Sequence, residues 1–227
     1  MEERNTLSQE QLRQELAPHF TLIEMIASGT ASRLGIDNTP PADVIERLRL
    51  LCQRTLWPLR RYLGRMVVTS GYRCEALNKV VGGVARSQHL RGEAADIYCP
   101  NPDRAQRMMR LLKLGYIPFD QMIVEHRVTN DAWWIHVSYR GERYGLDNRL
   151  EVIDENGRLQ QADPEMRRQT LLRWAWAAEQ GLNVTDPQCI TPEEHRRMMM
   201  VARPMARYMS EEQLLADYTQ IKTQKAS

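Results

Sequence analysis

Three side chains in the 227-residue chain are of the types a divalent metal needs: His89, Asp96 and His136. His89 and Asp96 stand seven positions apart, with Gly92 between them, in the run Ser87-Gln88-His89-Leu90-Arg91-Gly92-Glu93-Ala94-Ala95-Asp96-Ile97. On a helix this spacing shares a face, but Gly92 and the β-like residues after it argue for a loop leading into a strand. Such a turn brings an imidazole and a carboxylate onto one ion, and the small Gly92, Ala94 and Ala95 let the backbone pack closely beside it. His136, within Trp134-Ile135-His136-Val137-Ser138, offers a third ligand from an apparent strand. Two imidazoles and one carboxylate leave the fourth tetrahedral position to water or substrate, which is the pattern of a catalytic Zn2+ site rather than a closed structural one. Zinc held this way lowers the pKa of its water to about 7 and polarises a carbonyl, the chemistry of hydrolysis. The residues alone leave other readings open: a His–Asp pair at this spacing also occurs without metal, and His136 by itself suits an ordinary hydrogen-bonded strand histidine.

The elements that must position these groups can be read on either side of them. Residues 8–16 and Phe20–Ser28 are compatible with short helices, the second stopped at Gly29. Asn38-Thr39-Pro40-Pro41 breaks the chain, and apolar residues at helical spacing from Val44 to Leu59 predict one long helix over Ala42–Leu63, bent at Pro58. Arg65–Ser70, Ala94–Cys99, Phe119–Glu125 and Trp133–Arg140 are strand-like. Glu75–Val81 and Pro102–Leu114 are helical, and Asn156-Gly157 marks a hairpin. After Asp163-Pro164 three helices are expected, Met166–Gln180, Pro192–Ala202 and Ser210–Ile221; the last two open on capping-box patterns. The fold class is therefore α+β: a small antiparallel sheet carrying the metal site and packed with helices, over residues 1–162, followed by a helical C-terminal extension at 163–227.

Composition excludes several classes. The 31 basic and 29 acidic residues are interleaved and leave a net charge of +2, which is not the footprint of a nucleic-acid binder. No apolar run approaches the ~18 residues of a membrane span. The opening MEERNTLSQEQ lacks the basic and apolar regions of a secretory signal, so the expectation is synthesis in the cytoplasm without such an address. Cys52, Cys74, Cys99 and Cys189 are scattered with no CxxC pair, which favours free thiols.

The run SQHLRGEAAD resembles the S-x-H-x-x-G-x-A-x-D signature of the zinc D-Ala-D-Ala carboxypeptidase superfamily, which includes D,D-dipeptidases and phage L-alanyl-D-glutamate endolysins. Two further blocks agree in order: Ser70-Gly71-Tyr72-Arg73 resembles the family's S-G-Y-R, and Trp134-Ile135-His136 the block of the last zinc ligand. Leu77-Asn78 and Val81-Gly82-Gly83 resemble the LN-x-x-VGG of phage and prophage members. The likeness covers roughly Phe20 to Tyr139. It implies that His89, Asp96 and His136 bind zinc, that Arg73 steadies a substrate carboxylate or polarises the scissile carbonyl, and that Ser87 lines the substrate pocket. It implies peptidoglycan peptide stems as substrate, and action on the cell wall after lysis or from a virion.

The general base is where the resemblance departs. Several family members carry Glu three residues before the last histidine, and here that position is Trp133. Glu125 is the first choice: strand alternation puts Gln121, Ile123 and Glu125 on one face, next to the strand of His136. Asp131, five residues before His136, is second, and His126 third. The competing function is a catalytically weak or inactive protein of peptidase fold, binding peptide stems or joining a phage particle through residues 163–227.

Overall fold

The structure is a computed structural model that describes residues 7–141, 151–153, 156–161, 172–173, 176–177, 179–182, 189–203, 205–206, 209–210, 212–213 and 216. Helix α1 (Gln9–Arg13) is capped by Ser8, and the short β1 (Glu15–Ala17) and β2 (Phe20–Thr21) pair antiparallel. The next segment differs from expectation at Gly29. Helix α2 (Leu22–Ile26) ends first, and Gly29 opens rather than stops a helix, α3 (Gly29–Leu34). The reason is Ser28, whose hydroxyl accepts from the Ala31 N–H and caps a new N-terminus.

The long helix expected over 42–63 is present in three pieces. These are α4 (Ala42–Leu51), a π-helical turn at Cys52–Leu56, and α5 (Trp57–Leu63). Pro58 has no N–H to give the preceding turn, so the helix widens just before it, and the Trp57 N–H reaches back five residues to the Cys52 carbonyl. Strand β3 (Val68–Ser70), α6 (Glu75–Val80), β4 (Ala94–Cys99), α7 (Pro102–Lys113), β5 (Gln121–Arg127) and β6 (Ala132–Ser138) follow, then the hairpin β7 (Glu151–Ile153) and β8 (Leu159–Gln161) and, after the extension begins, α8 (Pro192–Ala202).

Six strands form one sheet in the order β3-β4-β6-β5-β7-β8. Its pairings are antiparallel except β5 with β7, so the sheet is mixed rather than purely antiparallel. The connection from β5 through β6 to β7 makes that parallel pairing possible, since β6 occupies the other edge of β5. One face is buried: Ala95, Ile97, Cys99, Met122, Val124, Ile135 and Val137 join the side chains of α4, α5 and α7 in a single core. Strand alternation then turns Asp96, His136, Ile123 and Glu125 to the opposite, open face.

The expected helix at Pro192–Ala202 is found with its capping box between Thr191 and Glu194. Met198 and Met199 enter the main core, while Met200 is exposed. The Tyr62 hydroxyl meets His195 Nδ1 at 2.8 Å, and Arg203 donates to the Tyr62 carbonyl, so α8 is tied to α5. The helices expected at Met166–Gln180 and Ser210–Ile221 fall largely outside the described residues. All four cysteines are free thiols. Among the described residues no helix is long and apolar enough to cross a membrane.

Candidate metal centre

Asp96 and His136 are direct cross-strand neighbours on the adjacent strands β4 and β6. His89 comes from a single 3-10 turn, Gln88–Arg91, that precedes β4. Gly92 ends this turn in the left-handed region at φ 71°, and a Cβ there would stand 2.8 Å from both the Val44 carbonyl and its Cγ1. Glycine is thus required twice over, for the backbone conformation and for the close approach to α4. Without that reversal the chain could not lay His89 over the strand that carries Asp96.

The three donor atoms form a small triangle. His89 Nε2 lies 3.1 Å from His136 Nδ1 and 3.2 Å from Asp96 Oδ1, and His136 Nδ1 lies 3.0 Å from that oxygen. A tetrahedral zinc with ordinary bond lengths separates its ligands by about 3.3–3.5 Å, so this triangle is close to one face of such a site.

The partners of the other ring nitrogens decide what these atoms offer. His89 Nδ1 is 2.6 Å from the Gly71 carbonyl, an acceptor, so that nitrogen carries the proton and Nε2 presents its lone pair. His136 Nε2 likewise donates to Gln88 Oε1 at 2.9 Å and leaves the Nδ1 lone pair inward. Two nitrogen lone pairs and a carboxylate oxygen then converge within 3.2 Å, an arrangement that repels itself unless a cation sits among them. The donor set therefore fits a Zn2+ ion. Burial alone would raise the Asp96 pKa, but when protonated on their facing nitrogens His136 and His89 outweigh this, so that without a metal positive charge on the imidazoles holds the carboxyl well below the usual range.

The Ser70–Arg73 block supports the triangle with every residue. Ser70 Oγ accepts from Arg73 Nε at 2.7 Å, and Arg73 Nη2 donates to Asp96 Oδ2 at 2.6 Å, which leaves Oδ1 for the metal. Gly71 fixes the His89 tautomer, and a Cβ on it would lie 2.2 Å from the Met25 carbonyl oxygen. The Tyr72 N–H donates to that same oxygen. Arg73, expected to face substrate, is thus also bonded to a ligand carboxylate. Ser87 lines the cleft, and its hydroxyl accepts weakly from the His89 N–H at 3.4 Å at the start of the Gln88–Arg91 turn.

Glu125 lies on the metal face of β5, paired with Trp134, one step along the strand pair from His136. It lines the same cleft as the three ligands. Burial and the Asp96 charge raise its pKa, against the lowering influence of His136 and of a hydrogen bond from Trp134. Asp131 is not brought to the centre. It occupies the β5–β6 turn at φ 49°, 82% exposed at the side chain, bonded to His126 Nε2 and Trp133 Nε1, and is not among the residues lining the cleft. The His126 and Trp133 bonds lower its pKa, the wrong direction for a base. His126 is stacked on Trp133, ring centroids 4.1 Å apart, on the far side of the strand from Glu125.

Two supporting residues had no role assigned from sequence. Gln88, adjacent to a ligand, could have been noticed there as a polar neighbour of buried type. Asn38 had no signal beyond its place in a breaker; its side chain bonds the Ile26 and Tyr72 carbonyls and the Cys74 N–H, clamping the Ser70–Arg73 block to α2.

Comparison with known families matches residues 18–138 to the peptidase M15 model, just over half of the chain. The chain belongs to the peptidase M15 family. No curated protein and no solved structure matches it. M15 members are zinc peptidases, and the matched span ends at Ser138, just past His136, so the His89–Asp96–His136 cluster lies wholly inside it.

Proposed function

We propose that the protein is a zinc metallopeptidase that hydrolyses amide bonds in peptidoglycan stem peptides. The observation that carries the reading is the pair of tautomer locks: Gly71 and Gln88 turn two imidazole lone pairs onto one carboxylate oxygen. Zinc bound by His89, Asp96 and His136 would supply a polarised carbonyl and a water acidified to a pKa of about 7. Glu125, its pKa raised toward the working range, takes a proton from the attacking water and delivers it to the leaving amine. Arg73 orients Asp96 and turns its remaining guanidinium donors toward the substrate carbonyl or carboxylate. Ser87 borders the bound peptide. The peptide-stem substrate rests on family membership, and the phage or prophage setting on the resemblance of Leu77–Gly83, with residues 163–227 available to a particle partner.

The second reading, a binding or structural protein of the same fold, is favoured by Trp133 standing where relatives carry glutamate. One experiment separates the two. Zinc-loaded protein is incubated with purified peptidoglycan and released amines are counted, for wild type and Glu125→Gln. The peptidase reading expects release that falls about 10²–10⁴-fold in the variant with zinc still bound. No release by zinc-loaded wild type refutes it.

A further inference from the structure

The cleft carries more positive charge than the metal chemistry uses. Of the cations along it, Arg73 is paired with Asp96, Arg91 with Glu93 and Arg140 with Asp120. Arg33, Arg86 and Arg127 also line it and have no carboxylate partner among the described residues, and of these three Arg127 is the one that lies over an aromatic ring. Its guanidinium lies over the Trp134 ring, 5.3 Å from the centroid. The sheet register places this pair. Tyr98, Trp134 and Glu125 form one cross-strand row, directly beside the row of Asp96, His136 and Ile123 and on the same face. Tyr98 is 46% exposed, unusual for a large aromatic on the floor of a cleft. Arg127 lies one further step along β5, diagonal to Trp134.

We infer that Arg127, placed over the Trp134 ring, is a specificity residue that takes a carboxylate from the interior of the substrate peptide. The inference rests on the reading of this cleft as a peptide site. Two residues along a strand span about 6.7 Å, close to the reach of two residues of extended peptide. A group bound on the Tyr98–Trp134 row and capped by Arg127 therefore sits about two residues from the amide at the metal. A guanidinium stacked on an indole keeps its edge donors free and loses little entropy on pairing, which suits a planar carboxylate. The carboxylate is an interior one because the cleft continues past the metal in both directions, from Ala27 and Arg33 to Arg127. No peptide terminus is needed at either end. The substrate class is thus acidic stem peptides, read by a cation that the hydrolytic step does not require.

The test uses two synthetic peptides, L-Ala-γ-D-Glu-L-Lys-D-Ala and the same peptide with D-isoglutamine in second place, which replaces only the interior carboxylate by a carboxamide. Binding to the zinc-loaded full chain carrying Glu125→Gln is measured by calorimetry, and kcat/KM is measured with wild type. The acid form is expected to bind about 10-fold tighter, the range of a charge-assisted hydrogen bond in a partly open site, with the preference shrinking as salt rises. Arg127→Gln should bring the two peptides to equal affinity, and Arg127→Lys should retain part of the difference. Equal affinity of the two peptides, or no binding of either, overturns the inference. So does a preference that survives Arg127→Gln. A binding preference with no cleavage of either peptide by wild type supports the carboxylate site while refuting the peptidase reading.

Discussion

Replacing Gln88 by leucine tests the physical core of the metal centre without touching a ligand. The two side chains have similar volume, but leucine offers no acceptor to the His136 Nε2–H that now donates at 2.9 Å. His136 is only 8% exposed, so water does not readily replace the lost partner. Two consequences follow. The N–H is stranded in a poor environment, and nothing then disfavours the other tautomer, in which the proton sits on Nδ1, the atom facing Asp96 and His89. Loss of such an outer partner lowers metal affinity by about 10–100-fold, or about 1.4–2.7 kcal/mol. Gln88→Glu keeps an acceptor, and a stronger one, so its zinc affinity should match or exceed that of wild type. The assay is competition for zinc against a chromophoric chelator at fixed pH, with circular dichroism as a check of fold. If Gln88→Leu binds zinc within two-fold of wild type, the lock does not present the Nδ1 lone pair and the argument for the donor set fails.

Two further outcomes are expected. In metal-free protein the Glu125 carboxyl should titrate above its ordinary value of 4.5, because burial and the Asp96 charge both favour the protonated form; adding zinc brings a positive charge near and should move it down, as read by carboxyl carbon NMR. Gly92→Ala forces a side chain into the left-handed region and against Val44, so it should destabilise the fold by about 2–4 kcal/mol in urea unfolding and weaken zinc binding through displacement of His89.

Much of this site was legible because each ligand sits in a locally readable context. The alternation of Ala94–Cys99 and Trp133–Ser138 implied two strands, and the glycine at 92 implied the reversal that brings His89 back over them. The same alternation put Glu125 on a common face with Gln121 and Ile123. What could not be read were relations between segments distant in the chain. The Gly71 carbonyl behind His89 and the Asn38 side chain behind Tyr72 are backbone-directed contacts that leave no periodic signature. At Gly29 a local rule gave the wrong outcome, because a glycine after a helical pattern serves as a stop only if no capping residue precedes it, and Ser28 does. Asp131 is close to His136 in sequence, yet it sits in the turn before β6, where His126 and Trp133 hold its carboxylate away from the cleft.

The proposed base is Glu125 rather than a residue at position 133, and the strand geometry supplies the reason. Strand β6 runs in unbroken register from Trp133 to Ser138 against both neighbours, with His136 opposite Asp96 and Ile123, and Trp133 opposite Cys99 and His126. Three is an odd number, so in a regular strand position 133 faces away from position 136. Cys99 is fully buried in the core, and Trp133 packs against that core and on His126. A glutamate at 133 reaches a metal at 136 only where a bulge or loop breaks the strand between them, and this chain has neither. The carboxylate must then come from the neighbouring strand, at a residue of the same parity as Ile123, and Glu125 satisfies that condition. A concrete consequence follows for the double variant Glu125→Gln with Trp133→Glu. It restores the residue that relatives carry, yet it should remain as inactive as Glu125→Gln alone, with zinc bound as a check that the site persists. Recovery of even a tenth of wild-type kcat would show that a side chain at position 133 can reach the metal, and that parity does not govern where the base resides.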